Sequence, residues 1–510
     1  HAIAMSRPAA VKSLRFALSA RSWLATSSVS ICALLAVLLA GLLACKGRRL
    51  SPFGERAARG GLTQGPAPAR TAWEVEYPDL TGQLPGAARI APGPDGGVFV
   101  ATELRARAKV GAFTLEPAGA GDDLFPPDLL ALRLDPNGKL LWARRFGSSS
   151  RDELRAVSAD AQGNLYLAGA SPAFLGDVPL PSGSDDGGFL LALAADGSQR
   201  WLKGHAPVGR DTGDASLSPG ADLRRVVIDE RGEVIVLGGY RGGLRHPGAT
   251  LATQGRGGFL ARYDASGAWR SHLALPHSDE LCVLGPDRLL VVVAQAREPF
   301  AIGSVTVTPG SQRSLVLLEL SGTGQLLRHR DFADGGLDFT LGLTCSPSGV
   351  NLLGGVSSPI VLGGRTLDPT NAGPSYGTPA LVRFDRELEL RWARLLGGNT
   401  LSGSSLAADA DGAPLVTGAA GAQEADLGGG ALAPATGPHR VVFLTRLDPA
   451  TGQHTYSLSR WRGERSGGSD ALLLPGGRLV LAAALDHGDY EAGPSKAEDL
   501  GSLYVTALDR

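Results

Sequence analysis

The stretch "LDPNGKLLWARRFG", Leu134 to Gly147, has a second version in the same chain, "FDRELELRWARLLG", Phe384 to Gly397. Both place an Asp in a turn and reach Trp-Ala-Arg a few residues later. Recurrence inside one chain signals a repeat architecture. Aligning on the turn extends the series to Asp135, Asp196, Asp264, Ser321, Asp385, Asp448 and Asp509. Successive positions lie 61, 68, 57, 64, 63 and 61 residues apart, a period longer than that of helical solenoids.

Each period holds four short segments. In the second they read "DELRAVSAD", "NLYLAGAS", "GGFLLALAADG" and "SQRWLKGH", between Asp152 and His205. Each is rich in Leu, Ala or Val and bounded by Gly, Asp or Asn, which is how strands read. Four strands in each of seven units predict an all-β, seven-bladed β-propeller spanning residues 71–510. The ends of the chain complete the count. The last repeat stops at "LYVTALDR", Leu503 to Arg510, one strand short, while "TAWEVEYP", Thr71 to Pro78, is a Trp-bearing strand with no partner before it. The N-terminal strand is therefore expected to close the last blade, with Trp73 standing where Trp142, Trp201, Trp269 and Trp392 stand in theirs.

These residues resemble the bacterial seven-bladed β-propeller repeat family often labelled SBBP. Its motif runs D-x-x-G-N-x-Y-x-x-G and then D-x-x-G-x-x-x-W-x-R-x-x-G, matched here by Asp160–Gly169 and Asp135–Gly147. The fourth repeat departs from it, with Ser321 for the turn Asp and Arg328 near the Trp. The resemblance implies a fold and an exported location, and no particular activity.

Composition agrees with a packed, turn-rich protein. The 510 residues include 71 Gly and 33 Pro, 43% are hydrophobic, and the net charge is −1. A chain without a basic field is not expected to bind nucleic acid.

The first residues read as an export signal. Arg7, Lys12, Arg15 and Arg21 precede an apolar run from Ile31 to Ala44, which ends in "LLAC", Leu42 to Cys45. This resembles the bacterial lipobox and implies cleavage after residue 44 and lipidation of Cys45. An uncleaved anchor is one alternative, since Trp23 to Ala44 nearly suffices to span a bilayer, and ordinary cleavage with secretion is the other. Residues 45–70 lack hydrophobic periodicity and read as a flexible tether. Lys46 is not the Asp that commonly retains such lipoproteins in the inner membrane, so a monomer anchored to the outer membrane is expected.

For function, loop length separates two rims. Turns such as "DAQG" and "DPNG" are tight, whereas Gly204–Asp222, Ser357–Gly377 and Gly418–His439 are long and unlike one another. Variable loops on a rigid scaffold are where binding concentrates, so this rim is the candidate face for a protein or glycan partner. Near it an Asp precedes several inner strands: Asp152, Asp222, Asp279, Asp338 and Asp470. Such carboxylates could hold Ca²⁺ or a cation at the channel mouth, or each could accept hydrogen bonds from its own loop. Repetition favours the second reading, so no metal and no cofactor are expected.

No catalytic constellation is recognised. "GPSYG", Gly373 to Gly377, matches G-x-S-x-G but lacks the strand-to-helix elbow. No His pair has the spacing of a zinc helix. Cys282 falls near the start of its inner strand and Cys345 near the end of its own, so two buried thiols are expected rather than a bridge. The reading that results is a non-enzymatic binding scaffold at the cell envelope. Its alternatives are a propeller lipoprotein of envelope assembly and a quinoprotein-like dehydrogenase.

Overall fold

The structure, a computed structural model, describes residues 70–509 except 79, 81–86, 106, 119–126, 173–185, 209–219, 247–248, 252–255, 370–376, 398–401, 421–426, 428–439, 464 and 487–500. Cys45, the signal and the tether up to residue 69 lie outside the described residues, as does Ser375 of the G-x-S-x-G match.

Seven antiparallel sheets follow one another along the chain, and their inner strands are the first in each. Those inner strands are Arg89–Pro92, Glu153–Ala159, Gly220–Ile228, Glu280–Gly285, Phe339–Ser346, Ser402–Ala408 and Arg465–Leu473. They define blades 1 to 7. The second strands are buried almost throughout, Leu165–Ser171 at every position and Arg288–Ala296 at all but Arg288 and Gln295. The reason is that each is sandwiched between two neighbours. Leu165 and Leu167 pack with Phe99 and Trp142 of blade 1, while Tyr166 and Ala168 pack with Val234, Val236 and Phe259 of blade 3. Seven hydrophobic clusters arise this way, one at each seam between blades. The near-continuous apolar runs in the sequence follow from burial on both faces.

The closure stands as expected. Arg70–Tyr77 pairs antiparallel with Ser502–Asp509 and forms the outer strand of blade 7. A ring closed in this way exposes no long unpaired edge at its seam.

The tryptophans of the repeat clasp adjacent blades. Trp142 Nε1 donates to the carbonyl of Ala195 in the next blade at 2.9 Å, and its ring lies on Gly197. Trp73 does the same to Pro136 and Gly138, Trp201 to Ala265 and Gly267, and Trp392 to Pro449 and Gly452. Each of these glycines has positive φ, between 69° and 81°, and a Cβ there would meet the indole at 2.6–2.9 Å. The motif thus couples its Gly and its Trp because they touch across a seam. The turn Asp completes it: Asp135 Oδ1 accepts from the amides of Asn137 and Lys139 at 2.8 and 2.9 Å, closing an Asx-type turn.

Four expectations need correction. In blade 2 the turn begins at Ala194, whose amide and carbonyl bond Ser198 and Gly197, so Asp196 sits two residues later in the turn than Asp135 does. Trp269 is not equivalent to the other tryptophans. It pairs with Tyr263, next to the turn, whereas Ser271 holds the clasping rung opposite Arg262; the Trp269 ring stacks on His246 instead, with centroids 4.1 Å apart. Blade 2 has six strands, because the hairpin Gly243–His246 and Ala249–Leu251 of blade 3 reaches back and pairs with its outer strand Gln199–Val208. Finally, Cys282 and Cys345 are bonded, with Cα atoms 5.9 Å apart. The inner strand of blade 4 has only six residues, so Cys282, opposite Leu290, lies close to its hairpin, as Cys345, opposite Val350, does to its own. Both sulfurs therefore reach the same level of the seam.

Candidate functional site

The connections opposite the tight Asp-Gly turns gather on one face. Small hairpins leave from there on blades 1, 4 and 5, Ala108–Leu115, Phe300–Val307 and Ile360–Leu367, and the tips of those on blades 1 and 5 reach back to Leu140 and Leu390 at the start of their outer strands. The five aspartates expected near this rim take three kinds of place. Asp152, Asp279 and Asp338 secure the start of an inner strand. Asp279 accepts from the amide of Ala294 at 3.0 Å, Asp338 from the amide and hydroxyl of Ser357 at 2.5 Å, and Asp152 from the amide of Ser148 at 2.6 Å. Asp152 is fully buried, and burial raises its carboxyl above the usual range, helped by Asp128 nearby. Asp470 lies further along its strand. It accepts from Ile90 N of blade 1 at 3.1 Å and from Ser405 Oγ of blade 6 at 2.7 Å, tying three inner strands across the channel. Burial raises its carboxyl too, against the pull of Arg89. Asp222 lines a cleft, where it accepts from Arg224 Nε at 3.0 Å. The five do not converge. Among the described residues no three His, Cys, Asp or Glu side chains could hold a metal ion together.

What the face brings together is arginine. The inner strands of blades 2 and 3 each carry a β-bulge at the same level. The ladder passes from Leu154 to Ala156 and from Leu223 to Arg225, leaving Arg155 and Arg224 unpaired as the extra residues. A bulge re-aims the side chain it leaves out. The second strand opposite each bulge holds a glycine, Gly169 or Gly238, where a Cβ would strike the inner strand's carbonyl at 1.9 or 2.6 Å. The Gly of the Y-x-x-G motif is thus the place where the inner strand bulges inward.

Arg155 and Arg224 both line a cleft of about 290 Å³, together with Arg241, Arg256, His277 and Asp222. Arg224 is held by Asp222, by the carbonyl of Ser278 at 3.2 Å and by His277 Nε2 at 2.9 Å. The imidazole must accept there, and burial and then the Arg224 charge push its pKa below the ordinary value. Arg256 and His277 also line a second cleft of about 600 Å³ over blades 3 to 5, which Asp279 and Asp338 border. The two clefts therefore adjoin across Arg256 and His277. The arginines were overlooked in the sequence, although "ELR" and "DLR" stand at corresponding places in successive repeats.

No family model matches the chain, and no curated protein does. Among solved structures it is similar to a europium-containing methanol dehydrogenase at 13% identity, covering 86% of this chain and 93% of that one, with a TM-score of 0.37. A protein of unknown function from Dyadobacter fermentans matches at 10% identity over 86% and 98%, with a TM-score of 0.38. The β-propeller domain of the Trilobed protease from Pyrococcus furiosus matches at 9% over 83% and 94%, with a TM-score of 0.41. At these identities the likeness concerns the propeller fold alone.

Proposed function

We propose that this protein is a non-enzymatic binding scaffold of the bacterial cell envelope, exported and lipid-anchored through Cys45, which takes its partner on the loop-rich face. The observation that carries the reading is the contrast between the two faces. One is paved with near-identical Asp-Gly turns that satisfy their own amides. The other holds two adjoining clefts whose charged side chains differ from blade to blade. A rigid ring with one individual face is how propellers present a ligand site. The Cys282–Cys345 bridge supports export, because such bonds persist in oxidising compartments. The family resemblance and an outer-membrane location belong to the same proposal, with a protein or a glycan as partner and the chain acting as a monomer.

Chemical cross-linking on intact cells, followed by mass spectrometry, tests it. Cross-links to partners are expected at the loop-rich face, near Arg297 and Arg256, and the mature N-terminus is expected to be an acylated Cys45. Partners linked instead at the turn face, near Arg391, would overturn the choice of face. A mature chain still carrying Arg7 would overturn the anchor.

A further inference from the structure

We propose that the cleft over blades 2 and 3 reads a carboxylate of an acidic peptide, whose flanking residues continue into the second cleft; this rests on the loop-rich face being the binding face. Four arginines, Arg155, Arg224, Arg241 and Arg256, meet around about 290 Å³ of space, with Asp186 and Asp222 as the carboxylates on its wall and Glu153 paired with Arg155 beside it. The cations outnumber the anions there. Like charges held close repel, and a bound anion relieves that repulsion. Two of the four arginines are bulged residues of inner strands, so rigid backbone rather than a long loop aims them. Guanidinium forks suit planar carboxylates, which they bind with paired, charge-assisted hydrogen bonds.

Asp222 and His277 add positioning. They fix Arg224 from two sides, so its guanidinium is set before a ligand arrives. Preorganised charge of this kind strengthens binding by lowering the ordering cost. Gly239 keeps the space open, since a Cβ there would lie 2.7 Å from Arg224 Nη2 and 3.0 Å from Asp222 Oδ1.

The second cleft favours a peptide over a sugar chain. Its apolar wall is Pro276, Val293, Ala294, Ala296, Pro299 and Phe300, and Gln295, Arg297 and Glu298 join Arg256, His277, Asp279 and Asp338 as its polar lining. Among the described residues Phe300 is the one phenyl ring of its lining and Tyr240 the one of the first cleft, so neither cleft holds a pair of phenyl platforms for sugar rings. Aliphatic and proline surface beside polar side chains suits an extended peptide whose successive residues alternate in direction and in character. Two of its three carboxylates, Asp279 and Asp338, are already engaged with the amides of Ala294 and Ser357, and the third, Glu298, stands next to Arg297 in the chain. The positive pole of the combined groove is therefore the first cleft.

Calorimetric titration of the purified protein with the blocked peptide acetyl-(Glu-Val)₃-amide tests the assignment. Binding is expected, and it should weaken as salt is raised. Arg155→Gln and Arg256→Gln, both of exposed side chains, should each weaken it about tenfold, the loss of one charge-assisted hydrogen-bonded contact. Arg391→Gln, on the opposite face, should leave it unchanged, and thermal melts of all three variants should match the parent. The (Lys-Val)₃ counterpart should not bind. Binding unaffected by Arg256→Gln, or no binding of the acidic peptide at low salt, overturns the proposal. Trigalacturonate bound more tightly than the peptide overturns the peptide assignment in favour of an acidic sugar. Cross-links that still map to this face while the peptide fails would leave the binding face standing and remove only its ligand class.

Discussion

Cys282 and Cys345 are joined across the seam between blades 4 and 5, where the indole clasp is missing. Arg328 holds the tryptophan's rung in blade 4, opposite Glu319, and pairs with it. Leu388 holds the turn glycine's place in blade 5, with a φ of 63°, and its side chain is fully buried beside Cys282. With no indole lying on the turn, there is room for a leucine, and the disulfide supplies the cross-seam link. The double variant Cys282→Ala/Cys345→Ala should lose about 2–4 kcal/mol in denaturant melts. Dithiothreitol should lower the parent's midpoint to that of the variant. A parent midpoint indifferent to reductant would show that the bridge does not form.

At the next kind of seam the clasp itself can be measured. Trp142 is buried, and truncation to Ala should cost about 3–5 kcal/mol. Gly197→Ala should cost about 1–3 kcal/mol, because φ is 80° and the new Cβ would meet the indole at 2.9 Å. In the Trp142→Ala background the clash is gone and only the backbone penalty remains. The two losses should therefore fail to add, by about 1 kcal/mol, in a double-mutant cycle. Additive losses would mean that the ring and the turn do not touch.

A pH dependence follows from His205. It is fully buried beside His246, stacks on Phe259 and bonds the Tyr263 hydroxyl through Nε2 at 2.9 Å. Burial, and then the charge of His246, pushes its pKa down to about 3. The unfolded chain titrates near the ordinary value of about 6.5. Below that value the unfolded state binds the proton and the folded state does not, so stability is complete above pH ~6.5 and falls as pH drops toward about 3. His205→Phe removes this dependence. Its stability deficit against the parent at pH 7.5 should narrow by about 2 kcal/mol at pH 5, from 1.36 kcal/mol per unit. A deficit constant across that range would mean that His205 is protonated in the folded state.

The blade count and the closure were legible because they depend on local chemistry that repeats: Asp-x-x-Gly turns, largely buried second strands and a Trp on the outer strand. Backbone events were not. The two-residue offset of Trp269, the short inner strand that brings Cys282 level with Cys345, and the hairpin of blade 3 on the edge of blade 2 all depend on register, which composition does not reveal. The same blindness hid the arginine clefts on the loop-rich face. Asp residues before the inner strands drew attention, yet Asp152, Asp279 and Asp338 proved to be bonded to neighbouring amides and hydroxyls. Arg155 and Arg224 are set apart by bulges at Leu154/Ala156 and Leu223/Arg225, which only pairing exposes.

Everything placed on the loop-rich face depends on a ring closed by the first strand, and deleting residues 70–77 tests that closure most directly. The deletion leaves Ser502–Asp509 as an unpaired edge and removes the clasp of Trp73 on Pro136. An exposed edge recruits other chains. The truncated protein is predicted to aggregate and to lose its single cooperative melting transition, with Trp73→Ala, a half-buried ring, costing about 2–3 kcal/mol in the intact chain. A deletion variant that stays monomeric and melts like the parent would contradict the seven-bladed closure, and with it the placement of the arginine clefts on one binding face.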